Sequence, residues 1–353
     1  MRTSAALRAP SSRRRALVAA GVVAAGVVAV VVLAACGGGS SDESATPDVT
    51  QDGQTSAFPV TIAQKLGDVT IEAESKRVVA LDFPSADNAI ALGVVPVGMA
   101  EVTYVEGGVM AWTNAALGDQ GTEIFNVDDG FPFETIAKLD PDVILATNTY
   151  PLIADNWDQL NAIAPVVGHV EAPGSDTWQQ LVSKIGKALG HSAEAQQLIS
   201  DVESSIAEAR AAHPEFAGKT VSGLNYLGGD GLYAISSDED FSVKFLTQLG
   251  FAGVTDTVAN MAGGSGERRV LVSPERYADL EADLIIGTSS LGPEVLEELA
   301  EHPTFSQLPA IDRGAYIPFH VGQSTSMVQP SALSLPFALD VLVPQFAQAL
   351  AGH

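Results

Sequence analysis

Cysteine is almost absent: Cys36 is the only one in 353 residues. No internal disulfide can form, and no pair of thiols is available for a zinc or redox site. Basic residues are scarce as well, with 18 Lys and Arg against 43 Asp and Glu and a formal net charge of −25. A surface of that sign repels the phosphates of nucleic acids and of anionic lipids, so no nucleic-acid partner is expected. Catalytic signatures are missing too: there is no G-x-S-x-G, no H-E-x-x-H and no phosphate-binding loop. The six histidines (His169, His191, His213, His302, His320, His353) lie far apart, and none pairs at metal-ligand spacing. Neither an enzyme nor a direct metal binder is expected.

The start of the chain is basic where the rest is not. Residues 1–15 hold five arginines and no acid, and Ala16 to Ala35 is an uncharged run of Ala, Val, Gly and Leu. That run is long enough to span a bilayer. Its end argues for removal instead. Leu33-Ala34-Ala35-Cys36 followed by Gly37 resembles a bacterial lipobox, where small residues precede the cut and the new N-terminal thiol takes up lipid. Ser12 to Leu17 is weakly similar to a twin-arginine export signal. The expectation is a signal peptide over 1–35, a lipid anchor on Cys36, and a protein on the extracytoplasmic face of the cell membrane.

Residues 36–57 are Gly, Ser, Thr, Asp and Glu with little that is apolar, and read as a disordered tether. Without the five leader arginines, 13 of the 18 basic residues remain against 43 acids, a net charge of −30. The expected divisions beyond the tether are an N-terminal α/β lobe (58–174), a linking helical segment (175–213) and a C-terminal α/β lobe (214–353).

Phe133–Thr147, FETIAKLDPDVILAT, returns without a gap as Pro274–Thr288, PERYADLEADLIIGT. The copies share Glu134/Glu275, Ala137/Ala278, Leu139/Leu280, Asp142/Asp283, Ile144/Ile285 and Thr147/Thr288. In each, a short helix opens on a glutamate that suits its dipole, and an apolar run follows like a strand covered on both faces. Around them, Gly67–Glu72, Arg77–Asp82, Val94–Ala100 and Ala164–Gly168 read as strands of the first lobe. Thr220–Leu227, Gly228–Ser237 and Gly314–Phe319 read as strands of the second. Trp178, Leu181, Ile185 and Leu189 mark one helical face, Gly190-His191-Ser192 interrupts it, and a second helical pattern runs to Ala212. Ser331–Leu350 reads as a closing helix bent by Pro336 and Pro344. The order predicts two lobes with mostly parallel sheets, joined by a long helical crossover.

That order resembles the periplasmic-binding-protein family that delivers ferric siderophores, haem and cobalamin to ABC importers. The resemblance covers Phe58 to Ala351. It rests on Arg77–Asp82, Ala91–Gly98, Glu134 with Leu139–Ile144, Ser273-x-Glu275, the helical crossover and Asp312–Tyr316. It implies a monomeric lipoprotein that takes a ferric siderophore from between its lobes to a membrane permease. It also implies that Glu134 and Glu275 dock into basic permease pockets. The ligand cleft should lie at the carboxyl ends of the parallel strands. The residues there are Phe83, Tyr104, Trp112 and Tyr150 from the first lobe, and Tyr226, Phe241, Arg268, Arg269 and His320 from the second. Few cations suit a tris-catecholate poorly, so a hydroxamate complex is the expected ligand. Haem or cobalamin is the alternative, with His320 or Tyr226 as a haem ligand.

Overall fold

Apolar triplets lay down the strands of two sheets. The computed structural model describes residues 58–148, 152–172, 174–263 and 267–351. Cys36 and the tether, Tyr150, Gly264–Gly266 and His353 lie outside the described residues.

The first lobe begins with β1 (Val60–Ile62) and β2 (Val69–Ile71), an antiparallel ribbon of their own. The predicted strand Gly67–Glu72 therefore does not join the main sheet. That sheet holds β3 (Val78–Ala80), β4 (Gly98–Ala100), β5 (Glu123–Phe125), β6 (Val143–Leu145) and β7 (Val166–Val167), in the order β5-β4-β3-β6-β7 and wholly parallel. Every residue of β3 and β6 is shielded from solvent, which is why both read as unbroken apolar runs. The edge strand β5 exposes Glu123 and Ile124 and had no such signal.

The second lobe uses β8 (Thr220–Tyr226), β9 (Leu232–Ile235), β10 (Gly253–Val254), β11 (Arg269–Val272), β12 (Leu284–Thr288) and β13 (Tyr316–Phe319). Their order is β11-β9-β8-β12-β13, with β10 beside β8. Here β9 runs antiparallel to both β8 and β11, so the sheet is mixed. The reversal after β8 turns on Gly228 and Gly229, both at positive φ (81° and 57°), where a side chain would be strained.

The repeat takes the same place in both lobes. Ile136 and Tyr277 enter the cores, and Glu134 and Glu275 are exposed at the first turn. The second copy's helix is a tighter 3₁₀ turn, Pro274–Leu280. The repeated aspartates explain themselves. Asp142 accepts the amides of Lys76 (2.8 Å) and Arg77 (3.0 Å) at the entry to β3. Asp283 accepts the amide of Thr220 (2.9 Å), its hydroxyl (3.0 Å) and Lys219 Nζ (3.0 Å) at the entry to β8. Each ties the first strand of its sheet to the strand within the repeat, β6 or β12.

The crossover is a helical hairpin. Trp178–Leu189 starts on a capping box of Thr177 and Gln180 and stops at Gly190, whose φ is 81°. Ser192–Ala212 folds back along it, with Gln179 bonded to Glu203 (3.1 Å). The two backbones meet so closely that a Cβ on Gly186 would lie 2.4 Å from that of Ala195. Stiffness comes from this pairing and not from one unbroken rod. At the other end, the closing segment is two helices, Ser334–Val341 and Val343–Ala351, and Pro336 and Pro344 sit in their first turns, where no amide is missed.

Burial opposes ionisation of Asp283, but the Thr220 and Lys219 donors outweigh it and hold its carboxyl below the ordinary value. Its stabilisation is therefore complete above about pH 4 and fades as the pH falls further. Asp283→Asn should lower stability by about 1–2 kcal/mol at neutral pH and by less at about pH 3. Urea unfolding at the two pH values reads this; an equal loss at both would show that the tie does not depend on charge.

Candidate functional site

In each sheet the chain order changes direction between the central strand and the repeat's strand: β3 and β6 in the first lobe, β8 and β12 in the second. Such switch points leave a crevice at the carboxyl ends of the strands. Beyond β3, Asp82 caps the helix Phe83–Ala91 through the Ser85 amide (2.8 Å) and accepts the amide of Asn148 (2.9 Å), just past β6. The Asn148 carboxamide then reaches Gln329 (3.2 Å) and Gly174 (3.1 Å). Gln329 belongs to a segment that has come from the second lobe, so this asparagine bonds across the gap between lobes.

A cavity of about 480 Å³ opens there, within the range of small-ligand sites. Asn148, Asp176, Phe241, Arg268, Arg269 and Gln329 are among its walls. Arg268 lies over the Phe241 ring at 5.9 Å and forms no ion pair among the described residues. Arg269 stands 3.8 Å from Asp240, which also caps the helix Phe241–Gln248. The carboxylates in this wall are largely engaged as well, since Asp176 accepts the amides of Val170 and Glu171.

The helix Val321–Val328 runs along the groove. One side forms part of a smaller cavity of about 160 Å³ with Leu224, Asn225, Thr288 and Ser290, adjoining the first through Arg269 and Val328. Thr288 and Ser324 share a hydrogen bond of 2.9 Å. The helix also meets the first lobe, where Tyr104 bonds Thr325 and Val105 lies against Gly322. At its N-terminal end is a cavity of about 380 Å³ between Val105–Asn114 and His320, Gly322, Gln323 and Phe337. At the start of this helix the Gln323 side chain accepts the His320 amide on Oε1 (3.1 Å). The apolar side chains Tyr104 (44% exposed), Leu227 (41%) and Leu291 (60%) stand in solvent just beyond β4, β8 and β12.

The structure thus brings Arg268, Arg269 and Phe241 to one cavity, and Trp112 and His320 to another. Tyr104 lies between them, exposed. Two expectations fail. Tyr226 is buried in the second-lobe core with its hydroxyl donated to Gly229 O (3.1 Å), because the strand alternates and Asn225 takes the cavity side. Phe83 is buried against Trp112, with ring centroids 6.2 Å apart, and lines none of these cavities. Asn148, Gln329 and the small hydroxyl residues of the groove helix went unpredicted. Their only signal was their place just beyond a strand, without an aromatic ring or a charge to mark it. Among the described residues no three His, Cys, Asp or Glu side chains gather as a metal site. Glu134 and Glu275 line none of the cavities. The Glu275 carboxyl is held below its usual range by its own backbone amide and the Ser273 hydroxyl.

Known proteins repeat this architecture. YhfQ of Bacillus subtilis strain 168, named as an ABC transporter substrate-binding lipoprotein, is 24% identical over 308 residues, 82% of this chain and 89% of its own. YfiY of the same strain, named as a siderophore-binding lipoprotein, is 27% identical over 182 residues, 51% of this chain and 53% of its own. A periplasmic solute binding protein from Mycobacterium smegmatis superposes with a TM-score of 0.71 at 29% identity, covering 82% of this chain and 98% of that one. PiaA of Streptococcus pneumoniae TIGR4, solved with ferrichrome, gives 0.69 at 24% identity, covering 83% and 99%. A family model described as periplasmic binding protein matches residues 78–317, from the first residue of β3 into β13. The two lobes, the crevice between them and this match across most of the chain place the protein in the periplasmic binding protein family, whose members bind solutes and are not enzymes.

Proposed function

We propose that the protein is the substrate-binding lipoprotein of an ABC importer, held by lipid on Cys36 to the extracytoplasmic face of the membrane, and that it captures a ferric siderophore of the hydroxamate type. The observation that carries the ligand class is the wall of the 480 Å³ cavity. It presents one guanidinium, Arg268, that forms no ion pair among the described residues, beside an aromatic ring and the Asn148 and Gln329 carboxamides. Arg269 is drawn to Asp240. A chelate carrying several negative charges would meet Asp176, Asp240 and Glu267 in the same wall. A neutral or weakly charged complex avoids that repulsion and still offers Arg268 a chelate oxygen. The names of YhfQ and YfiY favour an importer's siderophore-binding lipoprotein, and the ferrichrome solved with PiaA favours the hydroxamate type.

Glu134 and Glu275 suit permease docking. Both are exposed, both open the same repeated unit, and neither lines the cavities. An acidic protein meeting two basic pockets gains encounter rate and register from such a pair. The extracytoplasmic, monomeric protein expected from the sequence fits this division of labour, with one face for ligand and two points for the transporter.

The full-length chain, purified in detergent, should bind a ferric hydroxamate one to one and bind ferric tris-catecholates and haem more weakly. A panel read by tryptophan fluorescence and thermal shift tests this, and silence toward every compound would remove the transport reading. Arg268→Ala should weaken the hydroxamate about tenfold, as the loss of one charged hydrogen bond does. Replacing both Glu134 and Glu275 by Arg should leave that affinity unchanged while uptake by cells collapses; normal uptake would return both residues to a helix-start role. Cys36→Ser should release the protein or leave an unprocessed precursor, and a variant anchored like the parent would overturn the lipid site.

A further inference from the structure

A carboxylate with no access to solvent sits behind the 480 and 380 Å³ cavities. Asp87 is fully buried within the helix Phe83–Ala91. Its Oδ2 accepts Trp112 Nε1–H (2.7 Å) and the Ser331 hydroxyl (2.6 Å), and its Oδ1 accepts the Thr113 hydroxyl (2.5 Å). Beside it, Asn88 Oδ1 accepts the amide of Ala332 (3.0 Å). Trp112 is a wall of the 380 Å³ cavity, packed between the rings of Phe83 and Phe337. Ser331 directly follows Val328–Pro330, which close the 480 Å³ cavity. One side chain therefore grips a wall of each cavity at the place where the chain returns from the second lobe to the first.

We propose that Asp87 is a positioning residue for the ligand cleft: its ionised carboxylate fixes Trp112 on one side and Ser331 on the other, and protonation loosens both. This rests on the solute-binding reading above. The chemistry of the donors supports it. An indole N–H can only donate, and an ionised carboxylate can accept all three bonds at once. A proton on Oδ1 would force the Thr113 hydroxyl to turn round and accept, and the bonds from Trp112 and Ser331 would lose their charge assistance.

Among the described residues no cation compensates the charge. Asp82, at the start of the same helix, acts on Asp87 and opposes its ionisation. The helix Ala111–Leu117 offers only Trp112 and Thr113, and the return segment offers Ser331, with its one charged residue, Asp340, exposed. The crossover helix packs on the same helix, but its Lys184 and Lys187 are bonded to the carbonyls of Gly168 and Thr61 (2.8 Å each). The neighbouring strands are Val-Val-Ala and Gly-Met-Ala. Burial lifts the Asp87 carboxyl to about 6, against the three hydrogen bonds that favour its charge. A folded value above the unfolded one means that this group's stabilisation is present below about pH 4 and is lost as pH rises through 6. Ionised Asp87 thus weakens the fold at neutral pH, as a group kept for its function does.

The test compares the parent chain with Asp87→Asn and Ser331→Ala, full length in detergent, between about pH 4.5 and 8. Tryptophan fluorescence of the ligand-free parent should change around pH 6. Asp87→Asn should abolish the change, and Ser331→Ala should move it to higher pH, because a bond to the charged form is gone. Asp87→Asn should also melt higher than the parent at pH 8 and equal to it at pH 4.5. With ferrichrome as probe, release from the parent should quicken about tenfold on acidification, as weakening one charged bond allows, and release from Asp87→Asn should be fast throughout. A transition that survives in Asp87→Asn, or release equally sensitive to pH in both, overturns the proposal. If Asp87→Asn does not fold, the direction of the Ser331→Ala shift decides alone. Ferrichrome binding absent at every pH, with the fluorescence differences intact, would refute the ligand reading and leave the role of Asp87 standing.

Discussion

Everything in the cleft depends on two aspartate ties at the opposite end of the sheets. Asp142 and Asp283 lock the entries of β3 and β8 against the turns that precede β6 and β12. In the first lobe Arg77 tightens the same corner by donating to the carbonyls of Leu139 and Asp140. With the amino ends fixed and the strand interiors buried, the register of the central pairs is set. Freedom is left at the carboxyl ends, where side chains can be chosen for binding instead of for the fold. The division resembles that of other parallel sheets, with stability built at one end and specificity at the other.

The features legible in the sequence were those governed by continuous burial. β3, β6, β8 and β12 announced themselves because a strand covered on both faces permits only apolar or small residues. The edge strand β5 and the antiparallel β9–β11 pairing had weaker patterns, since one face or one edge meets water and the residue choice relaxes. Among cleft residues, Arg268 and Arg269 were visible because cations are rare here. Tyr226 misled because one residue's shift along a strand changes the face, and no pattern in Asn225-Tyr226-Leu227 marks which of them looks inward. Asn148 and Gln329 were invisible: their role comes from two loops meeting across 181 positions, which local pattern cannot encode.

Charge scarcity shapes the cleft more than charge itself. Of the cations close to it among the described residues, Arg269 has an acid nearby and Lys244, also beside Phe241, is paired with Glu239 (2.7 Å). Arg268 remains, braced on Phe241. A guanidinium on an aromatic face keeps its fork of donors open toward the cavity and loses little freedom on meeting an acceptor. On the ligand reading proposed above, one such group among the acids of this wall would favour a chelate of low negative charge.

The lobes are alike where a partner would be paired and unlike where a ligand would be single. Glu134 and Glu275 open matching turns above matching aspartate ties, which suits a transporter built from two similar subunits. The cleft has no such symmetry. The first lobe contributes the half-buried Asp82–Asn148 and the buried Asp87–Trp112 arrangements, and the second contributes arginines, a short antiparallel pair and the groove helix. The return segment then crosses back and is stitched to the first lobe at Tyr104, Asn148, Asp87 and Asn88. A symmetric hinge would let both lobes swing equally. With the crossover hairpin on one side and this return segment on the other, the lobes are joined twice, and opening must strain one of the two connections. Both connections border the 480 Å³ cavity, the crossover through Leu181 and the return segment through Val328, Gln329 and Pro330, and the return segment is also held to the first lobe at Asp87.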